Sequence, residues 1–114
     1  MAKSRLPNAL DRRHVVEREL APAQALVFAE AYLEEGRTLE ALDFLRKAGA
    51  SERLAELRRE AIATGDAFLF RSVAASSGQA PTREEWSALA DAAAASGRRF
   101  YTEQARRQAQ RGKE

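Results

Sequence analysis

Apolar residues recur at three- and four-residue steps along most of the chain, the period of an α-helix that turns one face to a core. The clearest run is Leu26, Phe28, Ala29, Tyr32 and Leu33. Pro22 opens it, where a missing N–H costs nothing. A second run, Leu39, Leu42, Leu45 and Ala48, follows Thr38, whose hydroxyl is placed to cap it. Leu54, Leu57, Ala61 and Ile62 form a third run. Phe68, Leu69, Phe70 and Val73 form a fourth, behind Asp66 as a cap that also meets the positive end of the helix dipole. Thr82-Arg83-Glu84-Glu85 has the spacing of a capping box and introduces Trp86, Leu89, Ala90 and Ala93. Tyr101, Ala105 and Ala109 mark a last helix at four-residue steps.

Gly36, Gly65 and Gly97 stand between consecutive runs, 29 and 32 residues apart. Glycine after an apolar run closes a helix by taking the left-handed conformation. The pattern predicts three helical hairpins, over 22–49, 51–77 and 82–111, with a loop at Ser76-Ser77-Gly78-Gln79-Ala80-Pro81. A short helix is expected over 9–20, capped by Asn8 and apolar at Leu10, Val15, Val16 and Leu20. Residues 1–21 are then a basic N-terminal segment carrying that helix, and 112–114 a frayed tail. The expected fold class is all-α, with about seven helices.

Composition sharpens this picture. The chain has 25 Ala and 12 Leu against four Val and one Ile, which favours helices and leaves a sheet without its β-branched cover. Cysteine is absent, which excludes disulfides, thiolate metal sites and cysteine nucleophiles. No run approaches the roughly 20 apolar residues of a membrane span. The opening residues lack the apolar run of a secretory signal, so a cytoplasmic location is expected. The 16 Arg against 3 Lys, with abundant Ala, point to a GC-rich bacterial genome. Formal net charge is +2, unevenly spread: residues 1–13 carry +3, residues 14–97 carry −5, and residues 98–114 carry +4.

Two helices per repeat, recurring about every 30 residues, suggest a helical solenoid. The first hairpin resembles the tetratricopeptide repeat. Phe28, Ala29 and Tyr32 stand at that family's first-helix positions, Ala41, Leu45 and Ala48 at its second-helix positions, and Gly36 at the turn. Ala25 holds the leading Trp position, and Arg53 stands where the closing Pro is expected. The third hairpin recovers the leading Trp with Trp86, Leu89, Ala90 and Ala93, although Thr102 replaces a small residue of its second helix. The second hairpin is degenerate and keeps Leu54, Leu57 and Ala61. The resemblance implies a right-handed α-α superhelix whose first helices line a groove. Its groove-facing positions would be Leu26, Glu30, Leu33, Arg59, Ile62, Ser87 and Asp91. The members that clamp a peptide C-terminal carboxylate use Lys and Asn where Leu26 and Glu30 stand here, so that activity is not implied.

Little in the sequence points to catalysis. His14 is the sole imidazole, and no metal or cofactor is expected. Glu34 with Glu35, Glu84 with Glu85, and Glu30 with Glu34 read as surface charges or ion-pair members rather than acid/base couples, which need burial to shift a pKa. No phosphate-cradling Gly-rich loop or nucleophile elbow is present. The expected function is therefore a protein–protein interaction module, a small cytoplasmic adaptor or assembly factor binding a peptide or partner helix. The alternative is nucleic-acid binding through Arg98, Arg99, Arg106, Arg107 and Arg111 of the last helix. That helix is also a candidate homo-oligomer edge.

Overall fold

In the computed structural model, which describes residues 21–111, each apolar run becomes a helix. The order is α1 (Pro22–Glu34), α2 (Thr38–Ala48), α3 (Ser51–Thr64), α4 (Ala67–Ser77), α5 (Arg83–Ala95) and α6 (Arg99–Arg111). No strand occurs among the described residues. The expected helix over 9–20, with His14, lies outside the described residues, as does the tail 112–114. The chain parts at Ser51 and Glu52 into two compact units, one holding α1 and α2, the other α3 to α6.

The helix ends follow from local chemistry. After α1, the Gly36 N–H donates to the Leu33 carbonyl at 3.0 Å and the Arg37 N–H to the Tyr32 carbonyl at 2.9 Å. These paired bonds satisfy carbonyls that the helix leaves open. The same pair recurs at Gly49, Gly65 and Gly97. Asp66 caps α4 by accepting from the Leu69 N–H at 3.0 Å. At α5 the capping box is complete: the Glu85 N–H donates to Thr82 Oγ1 at 3.1 Å, and Glu85 Oε1 accepts from the Thr82 N–H at 2.9 Å. Thr38 does not cap α2. The cap position is Arg37, without a side-chain bond. Its guanidinium instead pairs with Glu40 at 2.6 Å, and Thr38 falls inside the first turn.

In the first unit α1 runs along α2. Ala25, Ala29 and Tyr32 of α1 and Ala41, Leu42, Phe44 and Leu45 of α2 are buried. Small residues at Ala25, Ala29 and Ala41 allow close approach of the helices. The aromatic rings fill the space, with Phe44 stacked on Phe28 at 5.3 Å and on Tyr32 at 5.5 Å.

In the second unit α5 runs along α6 and α4 touches α6. Ala61, Ala67, Phe70, Trp86, Leu89, Ala90, Ala93 and Ala105 make one core cluster. Phe70 meets Trp86 edge-to-face at 4.8 Å. Thr102, at a position where a small apolar residue was expected, is buried because its hydroxyl donates back to the Arg98 carbonyl at 2.9 Å.

Candidate functional site

The seven residues expected to line a groove fall into the two units. Leu26, Glu30 and Leu33 share one stripe of α1, beside the buried Ala25–Ala29–Tyr32 stripe. Leu26 is exposed, while Glu30 and Leu33 are half-buried. Val27, next to that stripe, is 70% exposed. In the second unit Arg59 is exposed on α3, and Ile62 packs against the core cluster. Ser87 and Asp91 lie one turn apart on α5 and line a hollow of about 540 Å³ against α6, together with Arg83, Glu84 and Arg106. Arg59 and Ile62 do not line it. It is a mixed-charge surface that favours neither sign.

Arg98, which precedes α6, and the four arginines within it do not form one strip, because residues spaced unevenly around a 3.6-residue turn face different ways. Arg98 lies over the Tyr101 ring at 6.0 Å. Arg99 and Arg106 border a hollow of about 370 Å³ that also holds Glu103. Arg107 and Arg111 turn to a different cleft, of about 580 Å³, where Arg71 of α4 joins them with Gln104, Gln108 and Gln110. That cleft is lined by three guanidinium groups and no carboxylate. Counting basic residues along the last helix misses Arg71, which comes from another element.

A second arginine that sequence reading passed over is Arg58. It stands four residues after Leu54 and three before Ala61, on the apolar stripe of α3, and it is buried to 9% exposure. A charge at a core-facing position needs partners. Its Nε donates to Glu85 Oε2 at 2.6 Å and its Nη2 to Glu85 Oε1 at 2.7 Å. Nη1 reaches the Gln79 carbonyl at 2.9 Å, and Nη2 the Ala80 carbonyl at 3.1 Å. The guanidinium also sits 5.2 Å from the Phe70 ring centroid. One side chain thus ties α3 to the loop before α5 and to the α5 capping box. The bidentate bond from Arg58 is the main force holding the Glu85 carboxyl down to about 2 from its usual 4.5, with the Thr82 amide assisting against the cost of burial. The same bond raises the Arg58 pKa. Glu85 is therefore a structural ion-pair member, and Glu84 beside it is exposed.

Among the described residues no three His, Cys, Asp or Glu side chains gather to hold a metal ion. No helix among them is long and apolar enough to cross a membrane. No protein-family model matches the chain, and neither does any curated protein or solved structure among those compared.

Proposed function

We propose that this chain is a protein–protein interaction module, a small cytoplasmic adaptor or assembly factor, built of tetratricopeptide-like hairpins arranged as a right-handed superhelix. The observation that carries the reading is the surface of α1. This helix is apolar on more sides than α2 covers: Val27 is 70% and Leu26 40% exposed, beside the half-buried Phe28 and Leu33. A helix apolar around most of its circumference is stable in water when something covers its second side. The tetratricopeptide-like part of the reading rests on sequence spacing alone, Phe28, Ala29 and Tyr32 with Ala41, Leu45 and Ala48 in the first hairpin and Trp86, Leu89, Ala90 and Ala93 in the third. Nucleic acid fits less well, since the arginines of α6 spread over three surfaces and two of those carry acidic residues.

The reading is tested by a photo-crosslinking side chain at position 27, with a control at exposed Glu60. Adducts with protein are expected from position 27 and not from position 60. Leu26→Asp with Val27→Asp should cut partner recovery by about tenfold or more, as truncating an apolar anchor does. Because Val27 is largely and Leu26 partly exposed, helix content should be retained while stability falls by about 1–2 kcal/mol. Adducts with nucleic acid alone, or none at position 27, would count against the proposal.

A further inference from the structure

The cleft between α4 and α6 is not uniform along its length. At one end lie Arg107 and Arg111 with Gln104 and Gln110. At the other, a hollow of about 580 Å³ is lined by Ala74, Ala75, Gly78, Ala80, Pro81 and Trp86. Arg71 and Gln108 border both ends, so the two form one trough. Among the described residues, none of its three arginines forms an ion pair, whereas Arg37, Arg53, Arg58 and Arg83 each do. Arg71 is held in place instead by the Trp86 ring, with its guanidinium carbon 5.4 Å from a ring centroid. A guanidinium fixed over an aromatic face has already lost the rotamer freedom that binding would otherwise cost.

We propose that this trough docks an acidic segment of a partner protein, whose apolar side chain seats in the Ala74–Ala75–Trp86 hollow while its carboxylates meet Arg71, Arg107 and Arg111. Charge decides the sign of the ligand: three cations and no anion line the site. Spacing favours a peptide. Arg107 and Arg111 are one helical turn apart, with Cβ atoms roughly 5–6 Å from each other. Alternate side chains of an extended strand are about 6.6 Å apart, so two acidic residues at i and i+2 reach both. The glutamine amides each offer a donor and an acceptor, the pair that an extended peptide backbone requires. A polynucleotide fits poorly. A single strand stacks its bases on exposed aromatic faces, and the aromatic ring at this trough is only 5% exposed, beneath Arg71; a duplex meets arginines with its phosphates and brings no apolar side chain for the Ala74–Ala75 hollow. This chain's own residues 1–13, at +3, would be repelled. The site lies wholly in the second unit and does not rest on the α1 surface.

The test uses the full chain and its single tryptophan, Trp86, which lines the hollow. The probes are labelled peptides with glutamates at alternate positions and one leucine moved through the register. Competitors are the same peptides with serine for leucine, and single-stranded oligothymidylate. A leucine-containing peptide should bind saturably by anisotropy and shift Trp86 emission. Arg107→Glu with Arg111→Glu should weaken it by about tenfold or more, while Arg98→Glu with Arg99→Glu, an equal change of net charge, should alter it by no more than about twofold. Ala75→Trp, a second route that fills the hollow at an exposed trough residue, should abolish binding while leaving the charge of all three arginines in place. The proposal is overturned if no peptide in the series binds, if both charge reversals weaken binding equally, if the serine peptides bind as well, or if oligothymidylate outcompetes the peptide. Leu26→Asp with Val27→Asp should leave peptide binding unchanged, so failure here and failure of the α1 surface are read separately.

Discussion

Replacing Gly65 by alanine is expected to destabilise the second unit by about 3–4 kcal/mol. Two effects add. Gly65 sits at φ +71°, in the left-handed region that an L side chain occupies only at a cost of about 1–2 kcal/mol. A Cβ there would also lie 2.5 Å from the Cα and N of Ala93 on α5, and 2.9 Å from its Cβ. Those atoms are helix backbone, so no rotamer change relieves the clash, and α5 must move. Such overpacking costs typically about 1–3 kcal/mol more. Gly97→Ala is the matched control. Its φ is +74° and nothing lies within 4 Å of the added methyl, so only the backbone term remains, about 1 kcal/mol. Both positions belong to the second unit, and the unfolding of that unit is read from Trp86 fluorescence in urea. Equal losses for the two variants would refute the close approach.

That contrast marks where the sequence stops being readable. The turns at Gly36, Gly65 and Gly97 were legible, because a glycine after an apolar run has one simple local use. Which of them also touches a neighbouring helix was not. Ala93 lies in the run Ala92-Ala93-Ala94-Ala95, and nothing local distinguishes the alanine that receives Gly65. The capping box at Thr82 and the Asp66 cap were equally visible, since their partners lie three residues away. Thr38 misled for the same reason: its spacing suited a cap, but Arg37 and Glu40 pair across that first turn instead. Local chemistry is written in the chain, while long-range proximity is written only in how the helices pack.

The candidate site follows the same division. Arg98, just before α6, and the four arginines within it look like one basic strip when counted along the chain. Helical rotation sends Arg98, the Arg99–Arg106 pair and the Arg107–Arg111 pair to different surroundings, and the cleft that Arg107 and Arg111 line without a carboxylate is completed by Arg71 from α4. The apolar surface of α1 entered the sequence reading only in part: Leu26 and Leu33, exposed and half-buried here, were named as groove positions that the repeat resemblance implies. Val27 was not, because the repeat resemblance drew attention to the neighbouring stripe. Arg58 could have been found. A charged residue four after Leu54 and three before Ala61 has to be buried with partners or break the helix's apolar face, and Glu85 was already singled out as a capping residue.

Arg58→Ala should accordingly cost about 3 kcal/mol, the lower end for breaking a buried ion pair because water can reach the loop carbonyls it leaves behind. Arg58→Lys should cost about 1–2 kcal/mol, since one ammonium cannot make the bidentate bond to Glu85 and also span the Gln79 and Ala80 carbonyls. The pair also sets an acid dependence. Glu85 is held at about 2 in the folded chain, below its usual 4.5, so the unfolded chain binds the proton first as pH falls. The stabilisation is complete above the unfolded value and is lost as pH drops through the folded one. One edge of the pair faces water, so screening limits the term to about 1–2 kcal/mol. Urea unfolding of the second unit, followed by Trp86 between about pH 5 and about pH 2, should show the native chain losing this advantage over Glu85→Gln. Glutamine keeps an acceptor for the Thr82 N–H of the capping box, but its NH2 group stands in place of Oε2 and cannot accept from the Arg58 Nε–H, so the comparison removes the charge and one arm of the bidentate bond, of which only the charge varies with pH. A stability difference that stays constant across that range would mean the Glu85 carboxylate draws nothing from Arg58, and the tie between α3 and the α5 cap would then rest on packing around Phe70.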